Sequence, residues 1–300
     1  MAKVKHTPIF FLFLLPVVFA FVFVIIIPFI YGIYYSFTDW NAVQGTEVTW
    51  VGLDNYRVVF QDNAFLHSFL ITTVFALLNM VIINVVAFLL ALLVTNKLKL
   101  VGLYRAGFFL PNLIGGIILG YIWQFIFSNA IPHFGDVIGF EWLARNPFLA
   151  DRTLALFALV IVSTWQFAGY IMMIYVAAIQ SAPTSLLEAA QIDGATYVQK
   201  VKHILLPLVA PAITVSTFLT LINSFRAFDV NLALTAGGPS GLFRGGALLT
   251  TEFLALNIYN TAFTFRELAQ AQAKSVIFFI SLSVIAVIQV YFNKRREIEM

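Results

Sequence analysis

Six long stretches without a charged residue dominate this chain of 300 residues. They cover residues 8–38, 68–96, 106–132, 153–187, 204–225 and 275–293. A helix that crosses the hydrocarbon core of a bilayer needs about 20 apolar residues, so each stretch is long enough for one crossing. We therefore predict six transmembrane helices, over about residues 9–37, 68–95, 106–128, 153–181, 204–228 and 272–293.

The composition also indicates a protein embedded in a membrane. Hydrophobic residues make up 61% of the chain and charged residues 10%, which leaves too little polar surface to cover a water-soluble globule. The first stretch exceeds the apolar core of about 7–15 residues in a secretory signal, so we predict that it remains as a helix. The predicted fold class is all-α, a polytopic membrane protein with a single domain over residues 1–300.

Lysine and arginine residues predict the orientation of the chain. They collect at alternate ends of the predicted helices: Lys3, Lys5, Lys97, Lys99, Arg105, Lys200, Lys202, Lys294, Arg295 and Arg296. Short segments rich in Lys and Arg stay in the cytoplasm, so both termini and the segment 182–205 are predicted to be cytoplasmic. The formal net charge of +3 reflects this topology, and no binding to nucleic acid is predicted.

Several kinds of chemistry are absent from the sequence. The chain has no cysteine, and its four histidines are scattered without the spacing of metal ligands. It contains no G-x-x-x-x-G-K-[ST] phosphate loop. We therefore predict no catalytic residue, no metal site and no cofactor on this chain, and an enzyme is the least favoured class.

A short polar segment interrupts the apolar pattern at residues 182–205, a predicted cytoplasmic loop. Ser185 lies three residues before Glu188, the spacing of a capping box that starts a helix. Asp193 and Gly194 predict its end, because glycine adopts a left-handed conformation without steric cost. Pro207 then opens the fifth predicted span, where a missing N–H is tolerated. Such a helix with small apolar residues is either a docking site or an ordinary loop helix on the headgroups.

Polar side chains recur at helical spacing in two predicted spans. They are Ser163, Gln166 and Tyr170 in the fourth span, and Thr220, Asn223 and Ser224 in the fifth. Polar groups are costly to hold in lipid, so they face either a water-filled cargo path or a neighbouring helix. Neutral hydrogen-bonding groups with an aromatic ring suit a sugar, and we predict these six as substrate-binding residues, with interhelical hydrogen bonds as the open alternative.

Five further positions carry structural predictions. Gly116 and Gly120 are spaced for close helix packing. Arg226 and Asp229 are spaced for an ion pair near the outer mouth, although Arg226 would be the natural partner of an anionic cargo. Lys274, near the outer end of the sixth span, is predicted to extend its charge outward to water.

The spacing of the interruption resembles a known pattern. Glu188-Ala189-Ala190, three residues, Gly194, nine residues, Ile204, one residue and Leu206-Pro207 resemble the cytoplasmic EAA loop of permeases in binding-protein-dependent ABC importers. The stretches "RAGFFLPNLIGGIILGYIWQFIF", "FDVNLALTAGGPS" and "IYNTAFTFRELAQAQAKS" are similar to the sugar-importer branch. The likeness extends over nearly the whole chain, although the extra N-terminal spans and large outer domain of some maltose-type members are missing.

The resemblance implies a function, a fold and partners. It implies an ABC type I importer permease fold and sugar import by alternating access. The residues implied for coupling to a cytoplasmic ABC ATPase dimer are Glu188, Ala189, Ala190, Asp193, Gly194 and Pro207. ATP and Mg²⁺ would bind to that ATPase. The other implied partners are a second homologous permease, an extracellular or periplasmic sugar-binding protein, a carbohydrate and the lipid of a bacterial or archaeal cell membrane.

The main alternative is an ion-coupled secondary solute carrier. Such a carrier normally holds an ionisable carboxylate near the middle of the membrane, and none of the six uncharged stretches contains Asp or Glu. A channel would need a selectivity ring or a re-entrant filter, and neither is recognisable. The importer permease is therefore the favoured function.

Overall fold

The computed structural model describes residues 7–43, 45–96 and 99–294 of the chain, and the side chains of residues 10–43, 45–96 and 99–291. These residues divide into two compact units. One comprises the described residues of Met1–Asp62 with Ile258–Ile280, and the other comprises those of Asn63–Asn257 with Ser281–Met300. The single domain over residues 1–300 stays a prediction.

The described residues are mostly helical, which confirms the predicted class apart from one hairpin. In the first half the helices are α1 (Thr7–Phe21), α2 (Ile27–Tyr35), α3 (Asp54–Gln61), α4 (Asn63–Thr95), α5 (Val101–Phe109), α6 (Gly116–Phe125), α7 (Ile131–Ile138) and α8 (Glu141–Arg145). In the second half they are α9 (Arg152–Ser181), α10 (Thr184–Ile192), α11 (Tyr197–Lys200), α12 (Leu206–Leu208), α13 (Ala210–Phe225), α14 (Asp229–Thr235), α15 (Leu254–Tyr259) and α16 (Leu268–Lys294). The strands are β1 (Ser240–Phe243) and β2 (Gly246–Leu249).

Among the described residues, four helices are long and apolar enough to cross a membrane. They span Phe10–Tyr35, Asn63–Thr95, Arg152–Ser181 and Leu268–Tyr291. Two further crossings are possible only as bent pairs, Val101–Leu113 with Gly116–Ile138 at 98° and Tyr197–Leu208 with Ala210–Phe225 at 72°. The predicted third and fifth spans fall on these bent pairs, so the count lies between four and six.

Prolines are accommodated by widened helical turns. Pro28, Pro132 and Pro207 each lie two residues after a π-helical turn, at Val22–Ile26, Ile126–Ala130 and Val201–Leu205. Proline lacks an N–H and its ring clashes with the carbonyl four residues earlier, and a π turn gives that carbonyl more room. The helix that ends at Tyr35 therefore contains Pro28 after one wider turn.

The larger unit is built on the packing of α4 against α9. Small and larger apolar side chains along the contact are excluded from solvent, among them Ala87, Ile83, Val162 and Met172. Gly169 of α9 lies directly against the backbone of α5, since a Cβ at this glycine would be 1.8 Å from the carbonyl oxygen of Phe108. The third predicted span thus contacts α9 backbone to backbone.

Gly116 and Gly120 confirm the prediction of close packing. They face α14, where a Cβ at Gly116 would lie 2.7 Å from the Cβ of Asp229 and one at Gly120 would lie 2.5 Å from the Cβ of Ala233. The two positions on each helix are four residues apart, so one turn of α6 fits one turn of α14. After α14 the Gly-rich segment forms the antiparallel hairpin β1–β2, in which Phe243 pairs with Gly246.

The smaller unit contains the first long helix and the start of α16. Phe29 and Phe279 stack edge to face with their ring centres 4.9 Å apart, and Gly32 lies against the side chain of Gln272. Five of the residues used to predict the orientation of the chain lie outside the described residues: Lys3, Lys5, Lys97, Arg295 and Arg296. The cytoplasmic location of both termini stays a prediction.

Candidate functional site

The predicted interruption forms a short exposed helix with a defined end. Helix α10 covers Thr184–Ile192, and Gly194 follows it in the left-handed conformation with φ +79°. The N–H of Ala195 donates to the carbonyl oxygen of Ala190 at 2.9 Å, and the N–H of Gly194 donates to that of Gln191 at 3.2 Å. These two bonds are those of a Schellman motif, and the predicted helix end at Gly194 is confirmed.

The predicted capping box at Ser185 and Glu188 is wrong. Pro183 is the N-cap of α10 and makes no side-chain cap, so Ser185 already lies inside the first turn with helical backbone and cannot act as the cap. A capping box forms instead at the start of α11. There the Gln199 N–H donates to the Thr196 hydroxyl oxygen at 3.4 Å, and the Thr196 N–H donates to Gln199 Oε1 at 2.7 Å.

The six residues predicted for coupling lie in and just after this segment. Glu188, Ala189, Asp193, Gly194 and Pro207 are exposed, and Ala190 is half-buried. Apolar side chains are exposed beside them, with Ile192 87% and Val198 71% accessible. Apolar side chains this exposed on a polar segment are typical of a surface that another protein covers.

A single-residue break joins this segment to a long helix. Val209, at φ −89° and ψ 5°, separates the stretch Tyr197–Leu208 from helix α13 and is fully buried. The preceding Leu205 is also buried, and its carbonyl accepts the N–H of Val209 at 2.9 Å. The exposed segment is therefore linked to α13 through hydrogen-bonded helical turns.

The predicted cargo residues of α9 lie inside the larger unit. Ser163 and Gln166 are each 6% accessible, and Tyr170 is half-buried against the apolar cluster around Met172. The Gln166 amide donates to the carbonyl oxygen of Ile114 at 3.2 Å. Ile114 lies in the 98° bend before α6, where the helical ladder stops, so Gln166 satisfies a carbonyl that the bend leaves free.

The predicted cargo residues of α13 divide into two groups. Thr220 and Ser224 are buried and accept hydrogen bonds from α4, from Asn84 at 3.3 Å and from Asn79 at 3.2 Å. Asn223 is exposed on another face of the same helix. The alternative of interhelical bonding thus has direct support at Thr220 and Ser224, and Asn223 is the member of the set that is open to a ligand.

Sequence reasoning missed the centre of this polar network. The Tyr175 hydroxyl donates to Asn84 Oδ1 at 2.8 Å and accepts from the Ser216 hydroxyl at 2.7 Å. All three side chains are buried. Asn84 stands in an uncharged stretch of the sequence, and a polar amide in such a stretch is the signal that indicates an interhelical partner.

Two predictions about charged residues are wrong. Arg226 and Asp229, both within the described part of the chain, form no ion pair. Asp229 begins α14 and packs on Gly116, while Arg226 is exposed at the end of α13. Lys274 does not extend to water, since its side chain is 4% accessible and its ammonium group lies 2.7 Å from Asp62 Oδ2.

Long apolar helices joined by a short exposed segment are typical of a protein that spans a membrane several times. In the described ranges no group of three or more His, Asp or Glu side chains could hold a metal ion. Residues 5–298 match the family of binding-protein-dependent transport system inner membrane components, and the chain belongs to this family. It is a permease, a transport subunit rather than an enzyme, as the resemblance implied.

Relatives of known description agree with this assignment. The chain is 46% identical over 291 residues to the probable starch degradation products transport system permease protein of Thermoanaerobacterium thermosulfurigenes, covering 97% of this chain and 96% of the relative. It is 30% identical over 267 residues to the multiple sugar-binding transport system permease protein of Streptococcus mutans, covering 89% of each.

A solved structure shows the same fold. A chain of a bacterial alginate ABC transporter, crystallised in complex with an alginate pentasaccharide-bound periplasmic protein, superposes with a TM-score of 0.80. The likeness covers 98% of this chain and 96% of that one at 22% sequence identity. The predicted importer permease fold is therefore confirmed over nearly the whole chain.

Proposed function

We propose that this permease moves a carbohydrate inward through the cell membrane of a bacterium or archaeon, driven by ATP hydrolysis on a partner chain. The observation that carries the proposal is the exposed helix α10, which ends at Gly194 and connects to α13 through one buried break. Such a helix can transmit motion only if a partner holds it. The partner that fits is a cytoplasmic ABC ATPase dimer, which would bind ATP and Mg²⁺.

The contact with the ATPase would use the face that α10 and α11 expose. Leu186, Ile192 and Val198 offer apolar area, and Glu188 offers a charge at the same surface. Lys200 of α11 donates a hydrogen bond to α10, since its ammonium group lies 3.5 Å from Gln191 Oε1. In this proposal the segment is cytoplasmic, as the distribution of Lys and Arg predicts, and both termini lie on the same side.

Replacing Gly194 with valine should uncouple ATP hydrolysis from uptake. A left-handed backbone costs an L-residue about 1–2 kcal/mol, and a β-branched side chain is worse, so the end of α10 should shift. No atom lies within 4 Å of the position of a new Cβ, so the change acts through the backbone alone. We expect ATPase activity to persist while uptake falls at least about tenfold, a factor that corresponds to ~1.4 kcal/mol.

Gly139→Val is the matched control for this experiment. Gly139 ends helix α7 in the same conformation, with φ +70°, and likewise has no atom within 4 Å of a new Cβ. It lies outside the coupling segment, so transport per assembled complex should stay near that of the unchanged protein. Equal uptake by the two variants at equal membrane abundance would contradict the proposed role of α10.

The cargo site is proposed to include Asn223 and to adjoin Arg226, both exposed near the outer end of α13. The names of the relatives cover starch degradation products and multiple sugars, which favours a neutral carbohydrate that binds through hydrogen bonds. The other polar residues predicted to bind cargo would not contact it directly. Gln166, Thr220 and Ser224 form hydrogen bonds that hold helices in place. Ser163 and Tyr170 lie on the same helix as Gln166.

Arg226→Gln tests the charge of the cargo. For a neutral oligosaccharide we expect uptake to stay within about tenfold, because one lost hydrogen bond is worth about 0.5–1.5 kcal/mol. Asn223→Leu should cause a comparable or larger loss if Asn223 contacts the sugar. Radiolabelled maltooligosaccharide and an anionic uronic acid oligomer would be compared in the reconstituted importer. Uptake of the anionic oligomer alone, lost in Arg226→Gln, would refute a neutral cargo.

Purification of the chain with its partners distinguishes the importer hypothesis from that of an ion-coupled carrier. The proposed assembly contains this chain, a second homologous permease, an ATPase dimer and an external sugar-binding protein. We expect the ATPase and the second permease to copurify with this chain in detergent. Uptake by this chain alone in vesicles without ATP would instead establish a carrier, and no structural observation favours that outcome.

A further inference from the structure

The segment that follows α2 is folded back onto the end of that helix. The Asn55 amide, on α3, donates to the carbonyl oxygens of Ser36 at 2.9 Å and Thr38 at 2.8 Å. The hydroxyl groups of Ser36 and Tyr56 lie 2.7 Å apart. These bonds satisfy carbonyls that the helix end leaves free, so α3 is held directly at the end of α2.

The loop between these two elements is closed in the same way. Thr38 and Trp50 form an antiparallel bridge. Asp39 accepts from Thr49 twice, from the hydroxyl at 2.6 Å and from the N–H at 2.7 Å. The hydroxyl bond, followed by the N–H bond, lowers the pKa of the Asp39 carboxyl, so these bonds persist to a lower pH than an ordinary carboxylate would allow. The described residues of the range 36–61 therefore form a cap on α2.

The cap and the last turns of α2 present large side chains to their surroundings. We call the exposed set Tyr31, Tyr34, Trp50, Leu53 and Phe60 the aromatic platform. The rings support each other, since Trp50 lies 5.3 Å from Phe37 and 6.2 Å from Tyr34 between ring centres. Trp50 is 65%, Leu53 61% and Phe60 58% accessible. Apolar groups held open by a rigid support indicate a surface that something covers.

The depth of the platform follows from the helix beneath it. The stretch Phe10–Tyr35 is a candidate membrane span that ends at Tyr35, and α3 is bonded to the residues immediately after it. When that stretch crosses a bilayer, the platform lies at the boundary between hydrocarbon and water. Tyr and Trp are enriched there, because one end of each ring is apolar and the other is wet.

The face and charge of α3 fit the same environment. Leu53, Tyr56, Arg57 and Phe60 follow the i, i+3, i+4, i+7 spacing of one helical face, and Arg57 forms an exposed ion pair with Asp54 at 3.1 Å. Over residues 36–61 the charged side chains are Asp39, Glu47, Asp54 and Arg57. Acidic groups are in excess, so apolar contact rather than attraction to anionic lipid would seat this surface.

We propose that the aromatic platform is a membrane-interface anchor: Trp50, Leu53 and Phe60 insert among the lipid headgroups and fix the end of α2 at that depth. Insertion into a lipid interface requires no sequence-specific contacts. It requires only a layer that is apolar on one side and polar on the other. The anchor is independent of the cargo and of the ATPase.

Site-directed spin labelling tests the anchor, since the chain contains no cysteine. Single cysteines at Leu53 and Phe60, with matched controls at Asp54 and Glu47 on the same cap, would be labelled in the assembled complex. The vesicles would contain phosphatidylethanolamine and phosphatidylglycerol. We expect the labels at Leu53 and Phe60 to collide more with oxygen, which concentrates in lipid, and those at Asp54 and Glu47 to collide more with a water-soluble nickel complex.

Two outcomes would overturn the proposal. Equal, water-like collision rates at all four positions would show that the platform stands clear of the membrane. Labels at Leu53 and Phe60 that are shielded only when the external binding protein is added would assign the surface to that protein. As a second measurement, the variant Leu53→Ser/Phe60→Ser should increase the nickel accessibility of a label at Tyr34, while Asp54→Ser/Arg57→Ser should leave it unchanged.

Discussion

Gly169→Ala should remove most of the folded permease from the membrane. A Cβ at this position would lie 1.8 Å from the carbonyl oxygen and 2.3 Å from the carbonyl carbon of Phe108, and 2.9 Å from the backbone nitrogen of Phe109. The neighbour is backbone, so no side chain can rotate away. Helix α5 would have to move off α9, and the cost should exceed the ~1–3 kcal/mol of ordinary overpacking.

Gly107→Ala is the matched control on the facing helix. Gly107 lies in α5, and no atom is within 4 Å of a Cβ built there. Alanine favours a helix over glycine by about 1 kcal/mol, so this variant should be as abundant as the unchanged chain or more so. The measurements are membrane abundance and the thermal midpoint of the purified complex. Equal midpoints for Gly169→Ala and Gly107→Ala would show that α5 and α9 do not meet as described.

Lys274→Met should destabilise the smaller unit strongly. The Lys274 ammonium is buried, 2.7 Å from Asp62 Oδ2 and 2.8 Å from the Thr261 hydroxyl oxygen. Removing one partner leaves the Asp62 carboxylate, 30% accessible, without this countercharge. Breaking a buried ion pair in this way costs about 3–5 kcal/mol. The thermal midpoint and the protease resistance of the purified chain would report the loss.

A second substitution should restore part of that stability. In Asp62→Leu/Lys274→Met both charges are absent, and apolar replacement of a buried pair is often close to neutral, so the double variant should be more stable than either single one. Arg145→Gln is the control, because its pair with Glu141 at 3.5 Å is exposed and such pairs are worth about 0–1 kcal/mol. Lys274→Met with the stability of Arg145→Gln would disprove the role of this pair.

The amino-acid pattern predicted the long helices and the end of helix α10 well. Uncharged runs fall on α4, α9 and α16, because a 30-residue apolar run has few other ways to satisfy its backbone in a membrane. Gly194 ends its helix in the left-handed conformation, as predicted. Both features depend on local chemistry, which a single sequence reports directly.

Prediction from the sequence failed where the result depended on the exact start of a helix or on a partner far away in the chain. The capping box predicted at Ser185 and Glu188 did not form because Pro183 is the N-cap of α10, which puts Ser185 inside the first turn. Thr196 and Gln199, which have the same spacing, form a capping box at the start of α11. Lys274 points inward because its ammonium group pairs with Asp62, which lies 212 positions away in the chain. The network of Asn84, Tyr175 and Ser216 likewise joins residues that are remote in the chain.

The sequence by itself determined that this chain crosses a membrane, where the exposed helix α10 ends, and which permease family it resembles. Only the tertiary structure decided which polar side chains hold helices together, as Gln166, Thr220 and Ser224 do, and which, such as Asn223, remain open. Helical spacing places a residue on a face of its own helix, but the neighbour of that face is set by how the helices pack.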